Sequence, residues 1–242
     1  MIKGRPTSLT ILNFGQFMVH SGPRIIQLMG ALIKTDQDEA IVVDTGMPAK
    51  YLSNPAEAGR EDGLDSFGEV LQIGPENSVE QQLAQCGVSQ VKLLILTHGH
   101  IDHVGGIDAF KGVPIMMGKP ERDMPRPSYF GDTQPMEWPK GQYLTVEQDT
   151  GLGPDLDLFF TPGHAPGQLA LGVTLAGVGR VIWASDAISR ESEPDEGFTD
   201  AWDPELALHH AKRLLDMPHD HLIYGHDPDQ RLQIPFAPIP IT

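Results

Sequence analysis

The sequence predicts a mixed α+β fold in one layered domain spanning 1–242, and three observations carry that expectation. Strand-like runs fill the first third: "LTILNF", "IIQLMGALIKT" and "EAIVVDTG" are apolar, β-branched and bounded by turn residues. Two segments carry helix signals: "SVEQQLAQCG" closes at Gly87, and "DPELALHHAKRLLDM" opens with an aspartate at the N-cap and proline at the first helical position. No low-complexity stretch divides the 242 residues, which suits a single large domain.

The first three runs, the last two joined by the polar turn "DQDE", form the simplest strand arrangement, a meander. Residues 48–77 are rich in Gly, Pro and acidic side chains and read as irregular, ahead of the helix over Val79 to Cys86. "VKLLILTHGH" then stops abruptly at its histidines, as a buried strand does when it delivers side chains to its carboxyl-end loop. Residues 119–142 hold five prolines and three aromatics without a period, so this segment is either a lid or a plain surface loop. Three strand-like runs, "LDLFFTPGH", "GQLALGVTL" and "GRVIWASD", precede the second helix, and "HLIYGHD" precedes a proline-rich tail.

Composition narrows the function classes. Lys+Arg of 17 against Asp+Glu of 33 leaves a net charge of −16, a field that repels a phosphate backbone and argues against nucleic acid as partner. The charge otherwise serves solubility. A lone cysteine, Cys86, cannot form an internal disulfide and reads as a small core residue. Basic residues precede an apolar run at the N-terminus, but Asn13, Gly15 and Gln16 interrupt it as a strand would, not a signal peptide. No run reaches membrane-span length, so the expectation is a soluble cytoplasmic protein that makes no membrane contact.

The chemistry concentrates in "LTHGHIDHVGG". His98, His100, Asp102 and His103 exceed the needs of one catalytic ion, which takes three protein ligands and keeps one position open. His98 and His100, two apart in an extended loop, can converge on one centre. Asp102 and His103 start the next helix, point elsewhere and suggest a second. The same design recurs downstream, where strands run out at His164, Asp186 and His226. Seven ligands suffice for two three-ligand sites if Asp186 bridges them.

"THGHIDHVGG" followed by "TPGH", "SDA" and "GHD" resembles the metallo-β-lactamase superfamily, and "IVVDTGMP", "TPGHAPGQ", "DPELALHHAKRL" and "YGHD" are similar to its N-acyl-homoserine lactonase branch. The resemblance implies a four-layer αββα sandwich with a dimetal site at one edge. It also implies one zinc on His98, His100 and His164, a second on Asp102, His103 and His226, and Asp186 on both, with Mn, Co or Fe as possible replacements. Those lactonases carry a tyrosine three residues after the bridging aspartate, where this chain has Ser189. Losing such a donor can cost roughly 10² to 10³ in rate. Gly99 and Ile101 replace bulkier residues, which reshapes the expected pocket floor, and Met18 matches a substrate-contacting methionine or is core.

Asp44 of "VDTG" is expected to orient the site by hydrogen bonding to a metal-bound histidine, or to form a turn. Trp183 reads as core, His209 and His210 as surface or packing residues, and His219 and His221 as uncommitted. The implied reaction is hydrolysis of a lactone, an N-acyl-homoserine lactone or related ring ester, by metal-activated water, with Asp186 bridging and Asp102 returning a proton to the leaving alkoxide. Ser189 or Tyr129 can supply the missing hydrogen bond. Phosphotriester, phosphodiester and thioester hydrolysis use the same kind of site and are the alternatives. A di-iron oxidoreductase is disfavoured by His100, and a non-catalytic regulator by the full ligand set. A homodimer contact through 119–142 stays open.

Overall fold

Alternation of apolar side chains along the central strands decides how this chain stacks. The structure, a computed structural model, describes residues 1–22, 24–129 and 134–242. One sheet holds β1 (Pro6–Val19), β2 (Arg24–Thr35), β3 (Ala40–Val43), β4 (Gly68–Gln72), β5 (Leu93–Ile95), β6 (Ile115–Gly118) and β7 (Tyr143–Val146), in the order β4-β1-β2-β3-β5-β6-β7. The other holds β8 (Thr150–Gly153), β9 (Leu156–Phe160), β10 (Leu169–Leu175), β11 (Gly179–Ser185) and β12 (His221–Tyr224), in the order β12-β11-β10-β9-β8.

Neighbouring residues of a strand serve opposite faces. In β2, Leu28 and Leu32 pack toward the helices while Met29, Ala31 and Ile33 pack between the sheets. In β11, Val181 and Trp183 enter the inter-sheet core while Ile182 and Ala184 face α7 (Pro204–Asp216). Three apolar cores therefore separate four layers: helices, sheet, sheet, helix. This is the αββα arrangement expected, with the β1–β2–β3 meander in place and both sheets mixed. Asp203 caps α7 by accepting from the Leu206 N–H at 3.0 Å, with Pro204 in the first turn. Among the described residues no helix is long and apolar enough to cross a membrane.

Two expectations need correction. Residues 48–77 are not irregular: they form α1 (Ala49–Ser53), α2 (Pro55–Asp62), two short 3-10 turns and β4. The cause is local capping, which a search for apolar period does not see. Asn54 accepts from the Glu57 N–H, Pro55 opens α2, and Gly63 closes it at φ 73°. Likewise, segment 119–142 is not without secondary structure: it opens with α5 (Lys119–Asp123), Trp138 donates to the Met124 carbonyl at 2.9 Å within the segment, and Arg122 lies over the ring of Tyr143 in β7. Phe130 to Thr133 of that segment lie outside the described residues.

Candidate metal centre

Strand direction gathers the ligands. β3 and β5 are parallel neighbours, so Asp44 and the loop after Ile95 leave the first sheet at the same end. β9 and β11 both pair antiparallel with β10 and so run the same way, and β12 is parallel to β11. His164, Asp186 and His226 therefore emerge together, facing the first sheet's outlet. The Leu169 N–H donates to the Thr97 carbonyl at 2.9 Å and stitches the two sheets at this edge. Asp44 (φ 61°) and Ser185 (φ 48°) both sit in the left-handed region, at a cost of order 1–3 kcal/mol each. These sharp turns end the strands next to the centre.

All seven expected side chains meet there. Donor atoms of His98, His100 and His164 form one group, those of Asp102, His103 and His226 another, and Asp186 joins His98 and His103 in a third, each group within 4.8 Å. Asp186 lies between the two triads. Its Oδ2 is 2.9 Å from His226 Nε2 and 3.4 Å from His164 Nε2, and its Oδ1 is 3.5 Å from His103 Nε2. His98 Nε2, His103 Nε2 and Asp186 Oδ1 are buried without a hydrogen-bond partner among the described residues, although buried polar atoms are almost always paired. Converging orphaned nitrogens and a carboxylate oxygen are the donor set that a divalent transition metal takes, and the residues fit a dinuclear site.

The ring nitrogens turned away from the centre are braced. His103 Nδ1 is 2.8 Å from Asp44 Oδ2, and Asp44 in turn accepts from the Thr97 N–H and hydroxyl, both at 2.8 Å. Ser185 donates to the Thr97 hydroxyl at 3.0 Å. His226 Nδ1 is 2.9 Å from the Gln27 carbonyl oxygen. Asp44 thus sits where its orienting role was expected. Thr97, Ser185 and Gln27 were not foreseen; adjacency to a ligand marks the first two, and nothing local marks Gln27.

Electrostatics split the centre. Burial, with neighbouring rings, holds His98 well below the ordinary histidine range; burial and His164 bring His100 down to about 3. Burial also lowers His164. Burial works against protonation of His103 and His226 too, but Asp102, Asp186 and Asp44 outweigh it at His103, which lies well above the ordinary range, and Asp186 raises His226 to about 9. Asp102 falls to about 2, as His103 outweighs burial.

The centre opens into a cavity of about 1020 Å³. Phe17, Val19, Ile26, Leu28, Leu64 and Phe67 give it an apolar wall. Glu191, Glu193, Asp195, Asp200, Asp227 and Asp229 face it with carboxylates, against the two cations Arg24 and Arg190. Ser189 lines it, its N–H donating to Glu193 Oε2 at 2.5 Å. Met18 does not line it, though its neighbours Phe17 and Val19 do. Tyr129 lines it as well, but its hydroxyl donates to Asp62 Oδ2 at 2.5 Å, so the hydrogen bond offered to substrate in the sequence reading is already committed. Gly99 adds no room, since a Cβ there would meet Glu121 and Ser128. Trp183 is core; His209 is exposed, His210 half-buried.

The same architecture occurs in known proteins. Residues 31–226 match the family model described as the metallo-beta-lactamase superfamily. An N-acyl homoserine lactonase of Bacillus thuringiensis is 32% identical over 208 residues, covering 82% of this chain and 80% of that one. The human metallo-beta-lactamase domain-containing protein 1 is 33% identical over 154 residues, 62% of this chain and 53% of that protein. A solved N-acyl homoserine lactone hydrolase, with the product N-hexanoyl-L-homoserine at its catalytic metal center, superposes with TM-score 0.83 at 27% identity over 98% of this chain and 100% of its own. With ligand spacing, layer order and family match in agreement, the chain belongs to the metallo-β-lactamase superfamily, as a metal-dependent hydrolase of lactonase-like type.

Proposed function

We propose that this chain opens uncharged lactone rings, N-acyl-homoserine lactones or related ring esters, and that residues 1–242 form one catalytic domain. The observation that carries the reading is the cavity: five of the seven converging residues, His100, Asp102, His164, Asp186 and His226, at its base, with apolar residues and a carboxylate-rich set among the rest of its lining. His98, His100 and His164 would hold one divalent ion, Asp102, His103 and His226 a second, with Asp186 shared. When bound, such a pair supplies a strongly acidified water near pH 7 and polarises an ester carbonyl.

The remaining steps fall to the chain's own groups. Phe17, Val19, Leu28 and Leu64 remove an acyl or alkyl arm from water, about 25 cal/mol per Å² of apolar surface covered. The acidic flank repels phosphodiesters and anionic thioesters, which separates these alternatives from a neutral ring ester. Asp102, 3.5 Å from His226 Nε2 and 3.4 Å from His103 Nε2, is ionised and would take up the proton released by the attacking water and pass it to the expelled ring oxygen. Ser189, on the cavity wall three residues beyond Asp186 in the chain, would steady the ester carbonyl with its hydroxyl.

The test is hydrolysis of a panel of lactones, linear esters and phosphotriesters by the purified chain, with metal content measured in parallel. Acid release from lactones that a chelator abolishes is the expected result. A metal-replete preparation that leaves every lactone intact and cleaves neutral phosphotriesters would move the assignment to that second reading, which the same uncharged-substrate preference allows.

A further inference from the structure

Outside the seven ligands, one fully buried acidic side chain has no cation to answer it. Glu121 of α5 is 0% exposed, and among the described residues no lysine, arginine or histidine forms an ion pair with it. A lone buried carboxyl is costly unless its oxygens accept hydrogen bonds. Its Oε1 accepts from the Gly167 N–H at 3.2 Å. Burial holds its pKa above the ordinary carboxylate value, the backbone amides of Gly167 and Gly99 offsetting this only in part, and its Oε2 is buried without a hydrogen-bond partner among the described residues.

Those two amides are not arbitrary. Gly99 lies between His98 and His100, and Gly167 lies three residues beyond His164. The carboxyl therefore sits between the two loops that bring all three histidines of one metal position. Three glycines hold the space for it. A Cβ at Gly99 would come within 2.6 Å of Glu121 Oε2 and 2.9 Å of Ser128 Oγ, one at Gly167 within 2.8 Å of Glu121 Cγ, and one at Gly118 within 2.2 Å of the Gly167 carbonyl oxygen. Real Cβ atoms do not sit that close: at Gly118 the clash is with backbone and requires glycine, whereas at Gly99 the Glu121 and Ser128 side-chain tips would have to shift.

We propose that Glu121 is a positioning residue: by accepting from the Gly167 amide and packing its other carboxyl oxygen against Gly99 it sets the separation of the His98/His100 loop from the His164 loop, and so the affinity of the three-histidine metal position. The proposal rests on reading the seven residues as a two-metal centre and is independent of the substrate. Partners that orient metal-binding histidines are typically worth about 10 to 100-fold in metal affinity.

Zinc titration of the full-length apoprotein against a chromophoric chelator, with circular dichroism for the fold, tests it. Glu121→Ala should weaken one of two zinc equivalents by about 10 to 100-fold and leave the other within about threefold. Glu121→Gln, which keeps a carbonyl acceptor for Gly167, should lose less. Gly99→Ala, which crowds the carboxyl from the opposite side, should again weaken one equivalent selectively. Where Glu121→Ala does not fold, the Gln and Gly99 variants decide. Folded variants that bind both equivalents with unchanged affinity overturn the proposal, and so does equal weakening of both, which marks a merely structural carboxyl. Wild-type protein that takes up fewer than two equivalents overturns the two-metal reading instead.

Discussion

On the Asp102 side of the centre, each histidine leans on a fixed acceptor: His103 on the Asp44 carboxylate at 2.8 Å and His226 on the Gln27 carbonyl at 2.9 Å. On the other side, His100 and His164 face one another, His164 Nε2 to His100 Nδ1 at 3.1 Å, and are seated by the backbone of their loops. Tyr129 takes part through its main chain, donating to the Gly99 carbonyl at 2.8 Å and accepting from the Ile101 N–H at 2.9 Å. The same residue type thus has a fixed acceptor behind its ring in one half, an anion for His103 and a neutral carbonyl for His226, and loop backbone around it in the other. Nearby carboxylates raise the proton affinity of His103 and His226, while burial lowers that of His98, His100 and His164.

The change expected to break the comparison most completely is Asp186→Asn, because this carboxylate approaches histidines of both halves, His226 at 2.9 Å and His164 at 3.4 Å. Turnover of any accepted lactone should fall by well over the roughly 100-fold that an orienting partner costs, with circular dichroism unchanged. Retained turnover would remove Asp186 from the centre.

Asp44→Asn should act more strongly on the His103 half, since Asp44 touches His103 directly and reaches His98 only through the Thr97 hydroxyl. It removes the anion behind His103 and should lower metal affinity or kcat/KM by about 10 to 100-fold, read by the same zinc titration. Equal weakening of both positions would show that the halves are not separately braced.

Tyr129→Phe probes the geometric half from a distance. Its hydroxyl, together with that of Tyr51 at 2.9 Å and Lys50 Nζ at 2.6 Å, satisfies the buried Asp62 carboxylate. Losing one hydrogen bond to a charged group should cost about 1.5–3 kcal/mol in urea unfolding. An unchanged midpoint would show that the Asp62 network does not secure the metal-bearing loop.

The smallest effect expected is a pH effect at the same place. Burial tends to raise Asp62, but hydrogen bonds from Lys50, Tyr129 and Tyr51 outweigh it and hold the carboxyl below its ordinary value. A folded-state pKa depressed below the unfolded one adds stability above the unfolded value, near 4, and that stability is lost as pH falls through the folded value. The gap in unfolding midpoint between wild type and Asp62→Asn should therefore narrow from pH 7 to pH 3. A constant gap would sink the argument.

Much of the centre was legible in the chain because its ligands are punctuation. "THGHIDH", "TPGH", "ASD" and "YGHD" each stand where an apolar run stops, and an apolar run that stops is a local signal. The strands β1, β2, β3, β9, β10 and β11 and helix α7 were visible for the same reason. β6, β7 and β8, the runs IMMG, YLTV and TGLG, were not, and α1 and α2 depend on caps rather than on period.

By itself, then, the sequence determined which residues can coordinate, that they end strands, and that strands and helices share one chain; residue chemistry and hydrophobic period are properties of neighbours along the chain. Only the tertiary structure decided that Gln27 braces His226 from 199 residues away, that Asp62 and not substrate holds the Tyr129 hydroxyl, and that Glu121 sits between two ligand loops. Those contacts depend on where two sheets and their connections meet in space, and a single hydrogen bond between distant segments leaves no periodic trace in either one.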